Sequence, residues 1–298
     1  MHYSPKGTFM ERTKELWEKI GPLCVGLDIY IGETGFPKDL ILACDDDDGK
    51  AILRFGQEIV DATHQFVCAF KPNLGFFIRY GMDGLWALQG LSSYIHKKYP
   101  EIPVIIDAKV GDIGNTNDGW VQGLFYEFGA DAITVHGYLG KEAMKPFLDQ
   151  KERGIIVLCK TSNQGSGEFQ DLPLLGADIL LYQKVALNIG AWNYNSNCAL
   201  VAGATYPDDI CRIRRWAGRE IPLLIPGIGK QGGDLEGSIN NGRGNTNLGM
   251  IINNSRGILY AGGKEATKYN FAEFAHDAAK ANYEQIQAVL DMTEKGKR

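Results

Sequence analysis

Short apolar runs recur along the chain, each ending in glycine or a polar residue: "LCVGLD" (23–28), "VCAFKPN" (67–73), "VIIDAK" (104–109), "AITVHG" (132–137), "IIVLCKTS" (155–162), "CALVAGAT" (198–205), "PLLIPGIG" (222–229) and "GILYAG" (257–262). Between most of them lie stretches with a helical repeat of apolar positions, such as "KAILRFGQEIVDATHQF", "DGLWALQGLSSYIHKKY" and "PDDICRIRRWAG". Runs that are apolar throughout suit strands covered on both faces, as in parallel sheets. Eight such strands alternating with helices predict an α/β fold, a single-domain (β/α)8 TIM barrel, with a doubly wound open sheet as the competing arrangement. A first helix at about 8–20 is expected to close the barrel bottom, and the long C-terminal helix to be the eighth of the outer ring. Two segments stand apart: the acid run "CDDDDGK" (44–50), expected to be a solvated loop, and an extended glycine-rich loop after strand 7 (about 226–249).

Composition narrows the function. The chain has 298 residues, 44% hydrophobic and 22% charged, with a formal net charge of −5. That balance argues against a nucleic-acid or membrane-surface binder, and any anionic ligand must meet a local cationic site. The six cysteines form no C-x-x-C pair and several sit inside strand-like runs, as buried small hydrophobes in a reducing compartment do. The N-terminal stretch lacks an apolar signal core and no run reaches the length of a membrane span, which predicts a cytoplasmic address.

In a barrel the chemistry sits at the C-terminal ends of the strands. Here those ends carry Asp28, Lys71 with Asn73, Asp107 with Lys109, and Thr161 with Ser162. Strand alternation puts Asp107 and Lys109 on one side, and Lys71 from the neighbouring strand adds a second ammonium. Such a cluster is costly unless paired, and Asp28, Asp107 and Asp112 are the available partners. An ammonium flanked by carboxylates stays charged, so Lys109 reads as a proton donor rather than a Schiff-base nucleophile. A purely structural rim network is the competing account. In the glycine-rich loop, Gln231, with Arg256 downstream, suits a phosphate bound by backbone amides, one side-chain amide and a guanidinium. His136 reads as a packed structural residue, and Tyr206 and Asp208 as the start of a helix.

The string "DAKVGDIGNT", which supplies Asp107, Lys109, Asp112 and Ile113, resembles the D-x-K-x-x-D-I signature of the orotidine 5′-phosphate decarboxylase family. "FKPN", "KTSN", "PGIGKQGGD" and "NSRGILYAG" follow in that family's order, from about residue 20 to about 290, and the long loop resembles the family's longer subgroup. The resemblance implies decarboxylation of orotidine 5′-monophosphate to UMP with no cofactor and no metal. It implies that Lys109 protonates C6, that Asp107 faces the scissile carboxylate, and that Lys71 bridges ribose and charge array. It further implies a homodimer in which Asp112, Ile113 and Thr116 serve the partner's site. Asp28 and Asn73 match ribose contacts, Ser162 and Pro226 the pyrimidine pocket, and Gln231 and Arg256 the phosphate grip. Ile29 and Val110 depart from common family residues. Two other readings compete: a metal-dependent sugar-phosphate decarboxylase or aldolase on a related barrel, and a catalytically silent phosphate-binding barrel.

Overall fold

The computed structural model describes residues 6–228, 232–245 and 249–295. Eight parallel strands are joined in the order β2-β1-β8-β7-β6-β5-β4-β3: β1 Leu23–Leu27, β2 Ala69–Pro72, β3 Ile105–Val110, β4 Ala132–Val135, β5 Gly154–Lys160, β6 Cys198–Ala202, β7 Leu223–Pro226 and β8 Met250–Asn254. The ring closes between β2 and β3 through two isolated backbone bridges, Phe70 with Val104 and Asn73 with Asp107. This is a (β/α)8 barrel, as the alternating runs predict.

Period-2 alternation sorts the strand residues into two layers. Cys24, Ile105, Ala132, Ile156, Ala199, Leu224 and Ile251 fill the barrel interior, together with Phe9, Leu16 and Trp17 from α1 (Phe9–Lys19). Val25, Ile106, Ile133, Val157, Leu200 and Ile252 face outward, against Phe55, Leu91, Phe147, Ile213 and Phe271 of the surrounding helices. Helix α1 starts on a capping box, in which Thr8 and Glu11 satisfy each other's backbone amides. It is fastened to the barrel bottom by Arg12, which pairs with the fully buried Asp131. Asp131 also accepts from Val104 N–H at 2.8 Å and meets His96 at 3.0 Å. Burial opposes its charge, but His96 and Arg12 overcome this and hold the carboxyl below its usual range.

Three expectations need correction. The apolar run at 257–262 is not a strand: β8 is Met250–Asn254, and Arg256–Leu259 form a helical turn after it, so Arg256 lies just past the end of β8. The polar Asn253 and Asn254 at the end of β8, with Ser255 and Arg256 after them, make it look like a loop, while Ile258 and Leu259 are buried under the outer helices instead. Cys211 is exposed, although the other five cysteines are buried. Part of the acid run has a structural use as well. Asp45 and Asp46 take left-handed conformations (φ 60° and 57°), which turn the chain so that Asp47 caps the helix Asp48–Thr63 by accepting from Lys50 N–H at 2.9 Å.

Among the described residues no helix is long and apolar enough to cross a membrane.

Candidate active site

A cavity of about 510 Å³ opens at the C-terminal ends of the strands, within the usual range for small-molecule sites. Its polar floor is built around Asp107. Lys109 Nζ lies 2.7 Å from Asp107 Oδ1 and Lys71 Nζ 3.0 Å from Oδ2. Thr134 donates its hydroxyl to Oδ1 at 2.6 Å, and Asn73 Nδ2 stands 3.4 Å from Oδ2. One carboxylate therefore sits between two ammonium groups.

The backbone reaches this arrangement by breaking the strand pattern. The register of β3 against β4 slips between Ile106 and Val110, and Lys109 adopts a left-handed φ of 51°. For a residue other than glycine this conformation costs about 1–2 kcal/mol. Thr134 offsets the cost, because its hydroxyl oxygen accepts the Lys109 N–H at 3.0 Å while its own proton goes to Asp107. Simple alternation puts Lys109 on the right side; the local turn is what brings its ammonium back over Asp107.

Electrostatics follow from burial and pairing. Lys71 is fully enclosed, which disfavours its charge, yet the carboxylates of Asp107 and Asp28 prevail and raise its pKa above the ordinary value. Asp107 is also desolvated, and Lys71, Lys109 and the hydrogen bonds from Lys109 and Thr134 more than compensate, holding its carboxyl well below the usual range. Asp28 Oδ1 is buried in the cavity wall with no hydrogen-bond partner among the described residues. From this position it can accept a hydrogen bond from a group that enters the cavity.

The structure brings Asp28, Lys71, Asn73, Asp107, Lys109, Ser162, Pro226 and Arg256 together as cavity-lining residues. Asp112, Ile113 and Thr116 do not join them. They are exposed on the loop and helix start after β3, with Ile113 59% exposed. Gln231 lies outside the described residues. His136 is half-buried outside the cavity lining, and Tyr206 precedes Pro207 at the head of a helix with Asp208 in its first turn. Sequence reasoning passed over Thr134, Asn163, Gln170 and Asn253. Thr134 reads as an ordinary strand former, and neutral amides near turns carry no distinctive signal until the cavity shows what they face.

Two glycines shape the wall. Gly227, directly after β7, holds a φ of 106° that other residues rarely adopt. Gly203 follows β6 so closely that a Cβ there would stand 2.8 Å from Ser162 N and Cα. Gly203→Ala is therefore expected to displace Ser162 and lower kcat/KM about ten-fold, with an overpacking loss of about 1–3 kcal/mol in urea unfolding. Steady-state kinetics and a denaturation curve on the variant check both figures; unchanged kinetics would mean that Ser162 has no part in recognition.

Comparison with known proteins agrees with this geometry. Residues 22–269 match the family profile described as "Orotidine 5'-phosphate decarboxylase / HUMPS family". The orotidine 5′-phosphate decarboxylase of Janthinobacterium sp. (strain Marseille) is 42% identical over 276 residues, 91% of this chain and 95% of that protein. The enzyme of that name from Ralstonia nicotianae is 42% identical over 280 residues, covering 93% and 97%. The Leishmania donovani OMP decarboxylase structure superposes with a TM-score of 0.79 at 31% identity, over 95% of this chain and 99% of that one. The Leishmania donovani UMP synthase structure gives 0.81 at 33% identity, over 96% of this chain and 57% of that longer one. On fold, cavity and sequence together, the chain belongs to the orotidine 5′-phosphate decarboxylase / HUMPS family.

Proposed function

We propose that the protein decarboxylates orotidine 5′-monophosphate to UMP in cytoplasmic pyrimidine biosynthesis, without a cofactor. The observation that carries this is the Asp107 carboxylate held between Lys109 at 2.7 Å and Lys71 at 3.0 Å on the cavity floor. Loss of CO2 breaks the bond from C6 to its carboxyl carbon and leaves the electron pair on C6, with no carbonyl placed to delocalise it. The protein must meet that charge electrostatically. The Lys109 ammonium lies beside C6, stabilises the developing carbanion and transfers its proton to it. Asp107 orients Lys109 and faces the leaving carboxylate. Its oxygens are already engaged by Lys71, Lys109 and Thr134, which supports an ammonium array here rather than the metal-dependent sugar-phosphate chemistry of related barrels. Lys71 joins ribose to the array, Asp28 and Asn73 hold the ribose hydroxyls, and Ser162 and Pro226 border the pyrimidine. Arg256 and Gln231 grip the phosphate, whose binding draws the loop after β7 over the substrate.

A homodimer completes the site. Asp112, Ile113 and Thr116 lie outside their own chain's cavity, and the segments that follow β3 and β4 expose large apolar side chains, Ile113 on the first and Tyr138 (87% exposed) and Leu139 (48% exposed) on the second. That pattern supports insertion of the loop into a second copy, whose array then receives Asp112.

The decisive assay is the absorbance loss of orotidine 5′-monophosphate with the purified protein, with and without EDTA. Rapid EDTA-insensitive loss is expected, and none at all would reject the reading. Sharing of Asp112 is checked by mixing two inactive variants, Lys109→Ala and Asp112→Ala, after unfolding and refolding together. Half the dimers are then mixed and each contains one intact site, so about a quarter of wild-type activity returns. No recovery would place Asp112 in its own chain's site or outside the chemistry.

A further inference from the structure

Lys160 ends β5, and strict alternation would send it into the cavity after Leu158. The register against β6 slips here instead, pairing Leu158 with Val201 but Lys160 with Ala202. The extra residue on β5 turns Lys160 to the side that Ala202 faces, toward the helices. Its side chain is 1% exposed there, with Nζ 2.5 Å from Asp171 Oδ1 and 4.0 Å from Asp209 Oδ2. The ammonium also lies 4.6 Å from the Tyr206 ring centroid and 5.6 Å from that of Tyr182. Asp209 is held in turn by Tyr182 Oη and Arg212, each at 2.8 Å.

Lys160 is enclosed, which makes its charge costly, while its nearest partner Asp171 is 44% exposed, so the pair adds little stability by itself and stability alone does not account for it. What it fastens is the connection from β5 to the helix Leu181–Trp192. Asp171 belongs to that connection, and its neighbour Gln170 lines the cavity. Gln170 exchanges two hydrogen bonds with Thr161: it accepts the backbone N–H and donates to the hydroxyl, both at 2.9 Å. Thr161 Oγ1 in turn donates to Asn163 Oδ1 at 2.7 Å. Consecutive strand-end residues, Lys160 and Thr161, thus grip consecutive loop residues, Asp171 and Gln170. The loop between them carries Asn163 beside Ser162 on the cavity wall.

We propose that Lys160 is a positioning residue that touches no substrate: through Asp171 it fixes the amides of Gln170 and Asn163 on the base-facing wall, and so sets selectivity for a pyrimidine nucleotide over a bare sugar phosphate. The assignment of that wall to the base rests on the decarboxylase reading above. The test is calorimetric titration of UMP and of ribose 5-phosphate into wild type, Lys160→Met, Lys160→Arg and Asp171→Asn, alongside decarboxylation kinetics. Lys160→Met and Asp171→Asn are expected to weaken UMP about ten-fold, the effect of one or two misplaced hydrogen bonds, and ribose 5-phosphate less than about two-fold. KM should rise more than kcat falls, and Lys160→Arg should restore both. The double variant that carries Lys160→Met together with Asp171→Asn should lose no more than either single variant. Asp171 is 44% exposed at its side chain, so Asp171→Asn stays informative even where Lys160→Met does not fold. Equal losses for both ligands, or unchanged UMP affinity in Asp171→Asn, would overturn the proposal. A wild type that selects UMP but leaves orotidine 5′-monophosphate intact rejects the decarboxylase reading while the ligand ratio still judges Lys160. An active wild type with unaffected variants rejects the role of Lys160 alone.

Discussion

Lys109→Ala is expected to lower kcat by at least about 10⁴-fold, because in the proposed mechanism one ammonium supplies both the proton and the charge that stabilises the carbanion. Alanine is the informative substitution: it is no freer than lysine at the left-handed φ of 51°, so the turn after Asp107 keeps its conformational cost and only the ammonium is removed. Asp107 retains Lys71, Thr134 and Asn73 as partners, and the variant should fold and bind UMP within about ten-fold of wild type. Single-turnover loss of orotidine 5′-monophosphate absorbance measures the chemical step directly. A fall in kcat of less than about ten-fold would remove Lys109 from the proton transfer.

Asp107→Ala should be costly in a second way. It leaves Lys71 enclosed without its nearest counter-charge, and breaking a buried pair by deleting one partner costs about 3–5 kcal/mol. The pH dependence of that difference has a defined shape. The pKa of Asp107 is lower in the folded chain than in the unfolded one, so its contribution is present above about pH 4 and is lost as pH falls through the depressed folded value. The pKa of Lys71 is higher in the folded chain, so its contribution is complete below about pH 10 and fades as pH rises through the elevated folded value. The gap in urea stability between wild type and Asp107→Ala should therefore be level between about pH 5 and pH 9 and shrink on both sides. A gap that changes steadily across neutrality would mean that another group controls it.

Much of this architecture is legible in the sequence. Seven of the eight apolar runs overlap strands because a barrel strand covered on both faces must be apolar along its length, whereas surface helices show a mixed repeat. The eighth does not, for a reason that lies at the cavity. β8 ends in Asn253 and Asn254, so the polar residues at the cavity masked the strand, and the apolar stretch that imitated it packs as a helical turn. Asp107, Lys109 and Lys71 stood out because charge at the end of a buried run needs a cause. Thr134 did not, since a threonine in a strand needs none, and only its two hydrogen bonds reveal its place. Lys160 was hidden by the opposite problem: a lysine at a strand end looks like a cavity residue, and the register slip that turns it outward leaves no mark in the local sequence.

The closure between β2 and β3 has a bearing on how the molecule breathes. Every other neighbouring pair of strands is joined by a run of register partners, but this pair meets only at Phe70 with Val104 and Asn73 with Asp107. Lys71 and Asn73 then reach across to the Asp107 carboxylate, so side chains of the candidate site latch the joint that the backbone leaves weakest. Amides around 69–73 and 104–107 should be the strand amides that exchange soonest with solvent in the empty protein, and a nucleotide spanning Lys71 and Asp107 should protect them most. In such a barrel, occupancy of the site and integrity of the ring are one equilibrium seen from two ends.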